Sequence, residues 1–182
     1  MLTLQQIIDE SDILVPNGVS VTDKVVQLNA INADFFNVVK IPKLNRFSST
    51  TAADYVLPVD VRQKNIDMVQ VGLLRYRNLD ADAVTPIQNR YSFDDVVLTL
   101  TLSPAPYQVG LACICRYRRI ATTTFVSGTL TASPDAPEEY NWTYIPALAA
   151  WLAKAEDDTA KASLYEQQYK DAWNVAAQGY AT

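Results

Sequence analysis

The stretch VVLTLTLSPAPYQVGLACICRYR, residues 96–118, decides the fold class. Its first part, residues 98–102, alternates leucine with threonine, which is the pattern of a half-buried antiparallel strand. In its second part, residues 108–118, Cys113 and Cys115 fall on one face of a strand because successive side chains alternate between faces. The Ser-Pro-Ala-Pro sequence between the two parts predicts a hairpin connection. We therefore expect a small antiparallel sheet in the middle of the chain.

Further strand-like runs precede this pair. Residues 68–77 and 91–93 are rich in valine, leucine and tyrosine, and residues 55–58, Tyr-Val-Leu-Pro, read as a short strand stopped by proline. The Ser/Thr run at residues 48–51 is loop-like and marks the point where the character of the chain changes. Residues 119–137 are too polar and too often interrupted for long strands.

Helical signals precede the sheet. Thr3 with Gln6 has the spacing of a capping box, and Ser20 with Asp23 repeats the signal. Apolar residues then recur three and four positions apart up to a break at Pro42. Asn29 and Asn32 lie inside this second helix. We interpret them as residues that form hydrogen bonds with neighbouring segments of the same chain rather than as reactive groups.

Helical signals also follow the sheet. Pro137 with two acidic residues behind it marks a helix start, and Pro146 should kink this helix or mark a short break. Residues 156–158 read as a turn, and a last helix closes near Gly179. The sequence thus predicts an α+β fold in which a helical bundle formed by N-terminal and C-terminal helices has a small antiparallel β-sheet domain inserted between them. The predicted divisions are residues 1–47, 48–133 and 134–182.

Composition excludes most enzyme classes. The 182 residues suffice for one domain without disulfide or metal, and they include no histidine, two cysteines and five glycines. Lack of histidine removes the commonest general base and metal ligand, and no glycine-rich phosphate loop is present. Cys113 and Cys115 read as small buried apolar residues. The pairs Asp94-Asp95 and Asp157-Asp158 read as turn and cap residues. We expect no enzyme and no catalytic, cofactor or metal site.

Hydropathy gives a prediction of location. No run of about 18 apolar residues occurs, so a transmembrane helix is excluded. The N-terminus lacks the basic and apolar regions of a signal peptide, which predicts a cytoplasmic product.

Charge is unevenly distributed along the chain. Residues 1–60 carry seven acids and four bases, residues 61–133 five and eight, and residues 134–182 eight and three, for nets of −3, +3 and −5. Acidic helices with a mildly basic sheet suit head-to-tail contact between copies or with a second protein, although a solvated surface without a partner explains the numbers equally well.

Five stretches carry a resemblance to a known family. They are residues 29–36, 55–58, 115–119, 137–142 and 149–169. In their order and spacing, over most of the chain, they resemble the head–tail adaptor (connector, or head-completion) proteins of tailed bacteriophages. No single motif among them is diagnostic.

This resemblance implies a structural role. Copies would form a ring, typically dodecameric, that docks beneath the portal after DNA packaging and extends the channel toward the tail. The implied partners are the portal protein, tail or neck proteins and other copies of the chain, without a membrane. The implied location is the neck of the virion, with the host cytoplasm during assembly. A dozen copies at −5 each carry about −60, so genomic double-stranded DNA would pass through without specific recognition.

The resemblance also implies which surfaces make contact. In the adaptors of short-tailed phages the helical part and the C-terminal tail engage the portal, and the sheet faces tail components. The implied portal or subunit interface candidates are Trp151, Trp173, Tyr180, Gly179 and Thr182, and the implied tail-side or channel basic cluster is Arg116, Arg118 and Arg119. From helical spacing, we expect Trp142 and Trp173 to be mainly core and Trp151 to be the better interface candidate.

Two other functions stay open. A small bacterial binding module would bind a peptide or single-stranded nucleic acid on its sheet through Arg116, Tyr117 and Arg118, because arginines with an aromatic ring grip a phosphate backbone. An enzyme would have to rely on carboxylates and tyrosines alone.

Overall fold

The computed structural model describes residues 1–79 and 89–181 and has a mixed α+β fold. The helices are α1 (Leu4–Leu14), α2 (Val21–Val38), α3 (Tyr144–Ala155) and α4 (Thr159–Tyr180), with short 3-10 helices at Gln63–Asn65 and Glu138–Thr143. The strands are β1 (Pro42–Ser48), β2 (Asp54–Val56), β3 (Ile66–Val71), β4 (Leu74–Asn78), β5 (Arg90–Asp94), β6 (Thr99–Ser103) and β7 (Ala112–Arg118). Among the described residues, no helix combines the length and apolar character needed to cross a bilayer.

The chain divides into two compact units. The helical unit comprises residues 1–40 and 121–182, and the sheet unit comprises residues 41–120. The sequence placed the divisions later, at 47/48 and 133/134. The first differs because residues 42–48, which carry no strand alternation of apolar residues, pair with β7 as β1. The second differs because the segment after residue 120 is hydrogen-bonded to the helices, as described below.

Three predicted helix starts are confirmed by their caps, whereas the start predicted at Pro137 is that of a 3-10 helix and α3 begins only at Tyr144. Thr3 Oγ1 accepts from the Gln6 N–H while Gln6 Oε1 accepts from the Thr3 N–H at 3.0 Å, which completes the capping box of α1. Ser20 Oγ accepts from the Asp23 N–H at 3.1 Å at the start of α2. Asp158 caps α4 and confirms the turn before it. Each bond satisfies a backbone donor that the first turn leaves without a partner.

Helix α3 is the centre of the helical unit. It packs against α1, α2 and α4, and four of its five alanines are buried together with Leu148 and Leu152. Small side chains allow the neighbouring helices to approach closely on several sides. Pro146 lies in the first turn of α3, where its missing N–H costs no helical hydrogen bond. The break expected near Pro146 is the change from 3-10 helix to α-helix at residues 143 and 144.

The seven strands form one sheet in the order β1-β7-β3-β4-β5-β6-β2. Neighbouring strands are antiparallel except β4 and β5, which are parallel, so the prediction of a purely antiparallel domain is wrong at that one pair. The sheet curls until its two outer strands meet, since the rings of Phe47 on β1 and Tyr55 on β2 lie 4.9 Å apart. Residues that point into the curl, among them Leu100, Leu102, Cys115 and Tyr117, form the core of this unit.

The predicted hairpin between β6 and β7 is wrong. β6 pairs with β5 and β2, whereas β7 pairs with β1 and β3. The connecting residues 104–111 are long enough to cross to a distant position in the sheet, and their prolines cannot donate to a ladder. The single strand predicted at 68–77 is instead a hairpin, because Gly72 adopts a φ of +58° and turns β3 into β4.

Candidate interaction surfaces

One side of the sheet unit presents a face rich in arginine. Along β7, Cys113, Cys115 and Tyr117 are buried, so the residues between them point outward, as the sequence predicts. Their outward neighbours follow from the register across β1, β7, β3 and β4. We call this set the arginine face; it comprises Leu44, Arg46, Met68, Gln70, Arg75, Arg77, Ile114, Arg116 and Arg118.

Strand order brings these arginines together. Arg46, Ile114, Gln70 and Arg75 lie opposite one another in a single row across the four strands. With adjacent strands about 4.8 Å apart, the row spans about 14 Å from the first arginine to the last. Arg116 lies in the next row, between Leu44 on β1 and Met68 on β3. Residues up to about 70 positions apart in the chain therefore form one positive surface.

Several of these guanidinium groups are not neutralised. Arg118 Nε donates to Asp67 Oδ2 at 2.8 Å, and Arg75 Nη2 donates to the Met68 sulfur at 3.2 Å. Within residues 1–79 and 89–181, the side chains of Arg46, Arg77 and Arg116 make no hydrogen bond or ion pair. The face thus carries positive charge that is available to a partner.

The centre of the arginine face is apolar. A shallow groove of about 660 Å³ is lined by Pro42, Lys43, Leu44, Met68, Ile114 and Arg116. Leu44 keeps 49% of its surface exposed although it is a large aliphatic residue. An apolar centre bordered by arginines is the arrangement found at protein–protein interfaces, where arginine and methionine are enriched.

Tyr117 does not belong to this face, which corrects the predicted Arg-Tyr-Arg grip. Its side chain is 0% exposed, and its hydroxyl donates to Asp60 Oδ1 at 2.8 Å. Asp60 in turn accepts from Lys43 Nζ at 2.8 Å. Burial and the carboxylate of Asp60 raise the pKa of the phenol well above its usual value. Alternation along β7 places Arg116 outside and the ring inside, so no base can stack on Tyr117.

The remaining predicted basic residue follows the strand. Arg119 lies directly after β7, and its backbone N–H donates to the carbonyl of Ile41 at 3.1 Å. Its side chain and that of Arg118 are half-buried, in contrast to the exposed Arg46, Arg75 and Arg77. The three basic residues predicted from the sequence lie within four consecutive positions, whereas Arg46, Arg75 and Arg77 join the arginine face only through the strand order.

The tryptophans of the helical unit differ from their prediction in one case. Trp173 is 4% exposed; its Nε1–H donates to Thr143 Oγ1 at 2.9 Å, and its ring meets Phe35 edge-on at 5.6 Å. The expectation that it is core is confirmed, and it offers little surface to a partner. Trp142 is 42% exposed, so the expectation that it is core is wrong. Trp151 is half-buried on α3.

The C-terminal candidates lie at the end of α4. Gly179 is exposed, with open space where a side chain would be, and Tyr180 is half-buried. Thr182 lies outside the described residues. A groove of about 270 Å³ runs between α2 and α4, lined by Asp34, Asn37, Val38, Tyr169, Lys170, Trp173 and Asn174.

Polar residues of α2 are used to hold the segment that follows the sheet unit. Asn29 Oδ1 accepts from the Phe125 N–H at 2.7 Å, and its Nδ2 donates to the Phe125 carbonyl at 3.0 Å. Asn32 Nδ2 donates to Asp135 Oδ2 at 2.9 Å, and Asn32 Oδ1 accepts from the Tyr144 hydroxyl at 2.7 Å. The interpretation that both asparagines bond neighbouring chain is confirmed.

Charge differs sharply between the two units. Residues 1–40 and 121–182 contain 13 acids and five bases, a net of −8, whereas residues 41–120 contain seven acids and ten bases, a net of +3. In the helical unit Lys24, Lys154 and Lys170 are each paired with a carboxylate. Exposed carboxylates of this unit that form no hydrogen bond or ion pair with a described residue are Glu10, Asp34, Glu139, Glu156, Asp157 and Asp171.

The cysteines are structural. Both are free thiols; Cys113 is 1% and Cys115 0% exposed on the inner side of β7, which confirms their interpretation as buried small residues. Burial raises the pKa of both thiols, that of Cys115 to about 12 with Asp67 as a second cause. In the described part of the chain, no cluster of three or more cysteine and carboxylate side chains could hold a metal ion.

No family model matches the chain, and no curated protein matches its sequence.

Proposed function

We propose that this chain is a structural virion protein of the phage neck, which assembles as a ring beneath the portal after DNA packaging and connects the head to the tail. The ring would form part of the DNA channel. In this proposal the N-terminal and C-terminal helices form a bundle that carries the inserted sheet domain as a second contact surface. The chain would act by binding proteins on both sides and would catalyse no reaction.

The opposite charge of the two compact units is the observation that carries the proposal. A net of −8 on the helical unit and +3 on the sheet unit gives the chain two chemically different contact surfaces. A ring between the portal and the tail needs chemically different surfaces on each subunit. Each subunit must bind the portal, a tail component and the next subunit, which are unlike partners. The order and spacing of the five stretches that resemble head–tail adaptors support the same assignment.

The polar clusters inside both units support a structural role as well. The Asn32 and Asp135 contact joins chain segments in the helical unit, and the Tyr117 and Asp60 contact does so in the sheet unit. Each of these buried or half-buried polar groups is directed at another part of the same chain. Their hydrogen bonds fix the fold rather than leave a group poised for chemistry.

Binding to the portal ring of the same genome tests this proposal. The purified chain and the purified portal ring are treated with nuclease, mixed, and separated by sucrose-gradient sedimentation, with a portal ring of an unrelated phage as the control. We expect the chain to move with its own portal and to stay at the top of the gradient with the unrelated one. If it stays at the top in both mixtures, the proposed function is wrong.

A second candidate is the binding module, and the arginine face favours it. Three unneutralised guanidinium groups on the outer side of the sheet can bind a peptide or a single-stranded nucleic acid. Electrophoretic mobility of labelled oligonucleotides tests this candidate, since tight binding that weakens with salt supports it.

A further inference from the structure

We infer that the arginine face of one copy binds the acidic surface of the helical unit of the next copy. This inference deepens the proposed function by naming the two surfaces that meet, and it rests on that function for the closure of copies into a ring. The occupant of the arginine face is thus a second copy of this chain.

The first argument is the net charge that each unit keeps in addition to its internal ion pairs. In the sheet unit the described carboxylates are engaged internally, as Asp60 is with Tyr117 and Lys43 and Asp67 is with Arg118. In the helical unit most lysines are engaged in the same way. Asp60 and Asp67 thus have cationic partners, whereas Asp54, Asp94 and Asp95 accept hydrogen bonds from uncharged donors only. Each unit therefore pairs part of its minority charge internally and keeps a net charge of the majority sign, and the two signs are opposite. Complementary potentials of this kind steer association and fix its register.

The chemistry of the arginine face is the second argument, and it favours a protein over a nucleic acid. Leu44, Met68 and Ile114 place an aliphatic strip at its centre, where a phosphate backbone would gain nothing from contact. The aromatic ring that could stack on a base, Tyr117, is buried behind the sheet. A polyanion would also meet a chain with a net charge of −5.

Such a contact is heterologous, because it joins two different surfaces. An open assembly then keeps a free arginine face on its first copy and a free acidic surface on its last copy, so association continues until a ring closes or a filament grows. A neighbour that covers Leu44 and the rows of arginines around it would bury an exposed apolar residue and pair unneutralised charges in one step.

Sedimentation velocity of the full chain at increasing concentration tests the contact. Samples reach about 1 mM so that even a millimolar dissociation constant is detected. Salt is varied from about 0.1 M to about 1 M, which shortens the Debye length from about 10 Å to about 3 Å. We expect self-association at the lower salt that weakens at the higher salt. No self-association at about 1 mM and about 0.1 M salt would overturn the inference.

Charge reversal identifies the surface. The double variant Arg46→Glu with Arg116→Glu should weaken self-association by about tenfold or more, because both side chains lack an internal partner and their loss leaves the fold intact. Lys64→Glu is the control for reversal of a surface charge, since Lys64 is exposed, as Arg46 is, but lies on the 3-10 helix at Gln63–Asn65. Unchanged association of the double variant would show that the contact lies elsewhere, and the inference would be wrong.

A charge swap tests the acidic partner surface. Glu10→Lys, Asp34→Lys, Glu139→Lys, Glu156→Lys or Asp171→Lys is added, one at a time, to the double variant in the same chain, so that no wild-type arginine face is present. We expect at least one of these triple variants to recover self-association. If none recovers, or if the wild-type chain binds duplex DNA more tightly than it binds itself, the acidic unit is not the occupant.

These outcomes are separable from those of the proposed function. A chain that moves with the portal but shows no salt-sensitive self-association remains a neck protein without this contact. A chain that self-associates through the arginine face but ignores the portal keeps the contact and loses the neck role.

Discussion

Asn32 and Asp135 meet in a hydrogen bond of 2.9 Å between amide Nδ2 and carboxylate Oδ2, which joins α2 to a segment 103 residues later in the chain. The same carboxylate accepts from the Thr122 and Thr123 backbone N–H groups at 2.9 and 2.8 Å and from Thr123 Oγ1 at 2.6 Å. The side chain of Asp135 therefore links the segment that follows the sheet unit to α2.

Replacing Asp135 should destabilise the chain strongly. Asp135→Ala removes a charged acceptor and leaves several donors without a partner, so we expect the free energy of unfolding to fall by about 2–4 kcal/mol. Urea denaturation followed by circular dichroism measures the change. Asp34→Ala is the control, because Asp34 is exposed on α2, the helix that carries Asn32. Its effect on the free energy of unfolding should stay within about 0.5 kcal/mol. Equal effects of the two variants would contradict this role.

The same carboxylate should make stability depend on pH. Burial opposes its ionisation, but the hydrogen bonds from Thr123, Asn32 and Thr122 outweigh burial and lower the pKa of Asp135. Since the folded pKa lies below the unfolded value of about 3.9, this stabilisation is complete above that value and is lost as pH falls through the folded pKa. Urea midpoints measured between about pH 6 and pH 2.5 should fall more steeply for wild type than for Asp135→Asn. Parallel profiles would contradict the assignment.

The buried phenol of the sheet unit gives a second stability prediction. Tyr117→Phe removes the donor to Asp60 and leaves that nearly buried carboxylate with Lys43 alone, so we expect a loss of about 1–3 kcal/mol in the free energy of unfolding. Tyr107→Phe, at an exposed tyrosine, should change stability little. A neutral effect of Tyr117→Phe would show that the hydroxyl does not fix β7 against the loop that carries Asp60.

The thiols should resist modification in the folded chain. Burial raises the pKa of Cys113 and Cys115, so thiolate is scarce at neutral pH and reagents have no access. With an aromatic disulfide reagent at neutral pH, we expect slow reaction in buffer and rapid reaction of both thiols in urea. Rapid reaction of either thiol without urea would mean that β7 opens readily.

Local features of the fold could be predicted from the sequence, because their causes lie within a few residues. Thr3, Ser20 and Asp158 accept hydrogen bonds from backbone N–H groups three residues away. The apolar period of α2 can be seen in the sequence of that helix alone. The period of an α-helix predicts a core position for Trp142, which is wrong. It lies in a 3-10 helix, whose three-residue turn places its side chain on another side.

Features set by distant pairing could not be predicted in this way. β1 has a mixed polar sequence, and it is a strand because β7 offers it a partner. The arginine face depends on strand order, which places Arg46 and Arg75 on either side of Ile114 and Gln70. The glycine at position 72 was the one local signal that a hairpin divides residues 68–77.

The mass of the complex with the portal ring of the same genome tests the central claim most directly. Light scattering after size-exclusion chromatography gives the mass of the nuclease-treated complex. Subtracting the mass of the portal ring and dividing by the chain mass of 20.2 kDa gives the number of bound chains. The neck role predicts one ring of added chains, about a dozen, in a complex that survives the column. A portal peak that keeps its own mass, with the chain eluting separately, would contradict the account.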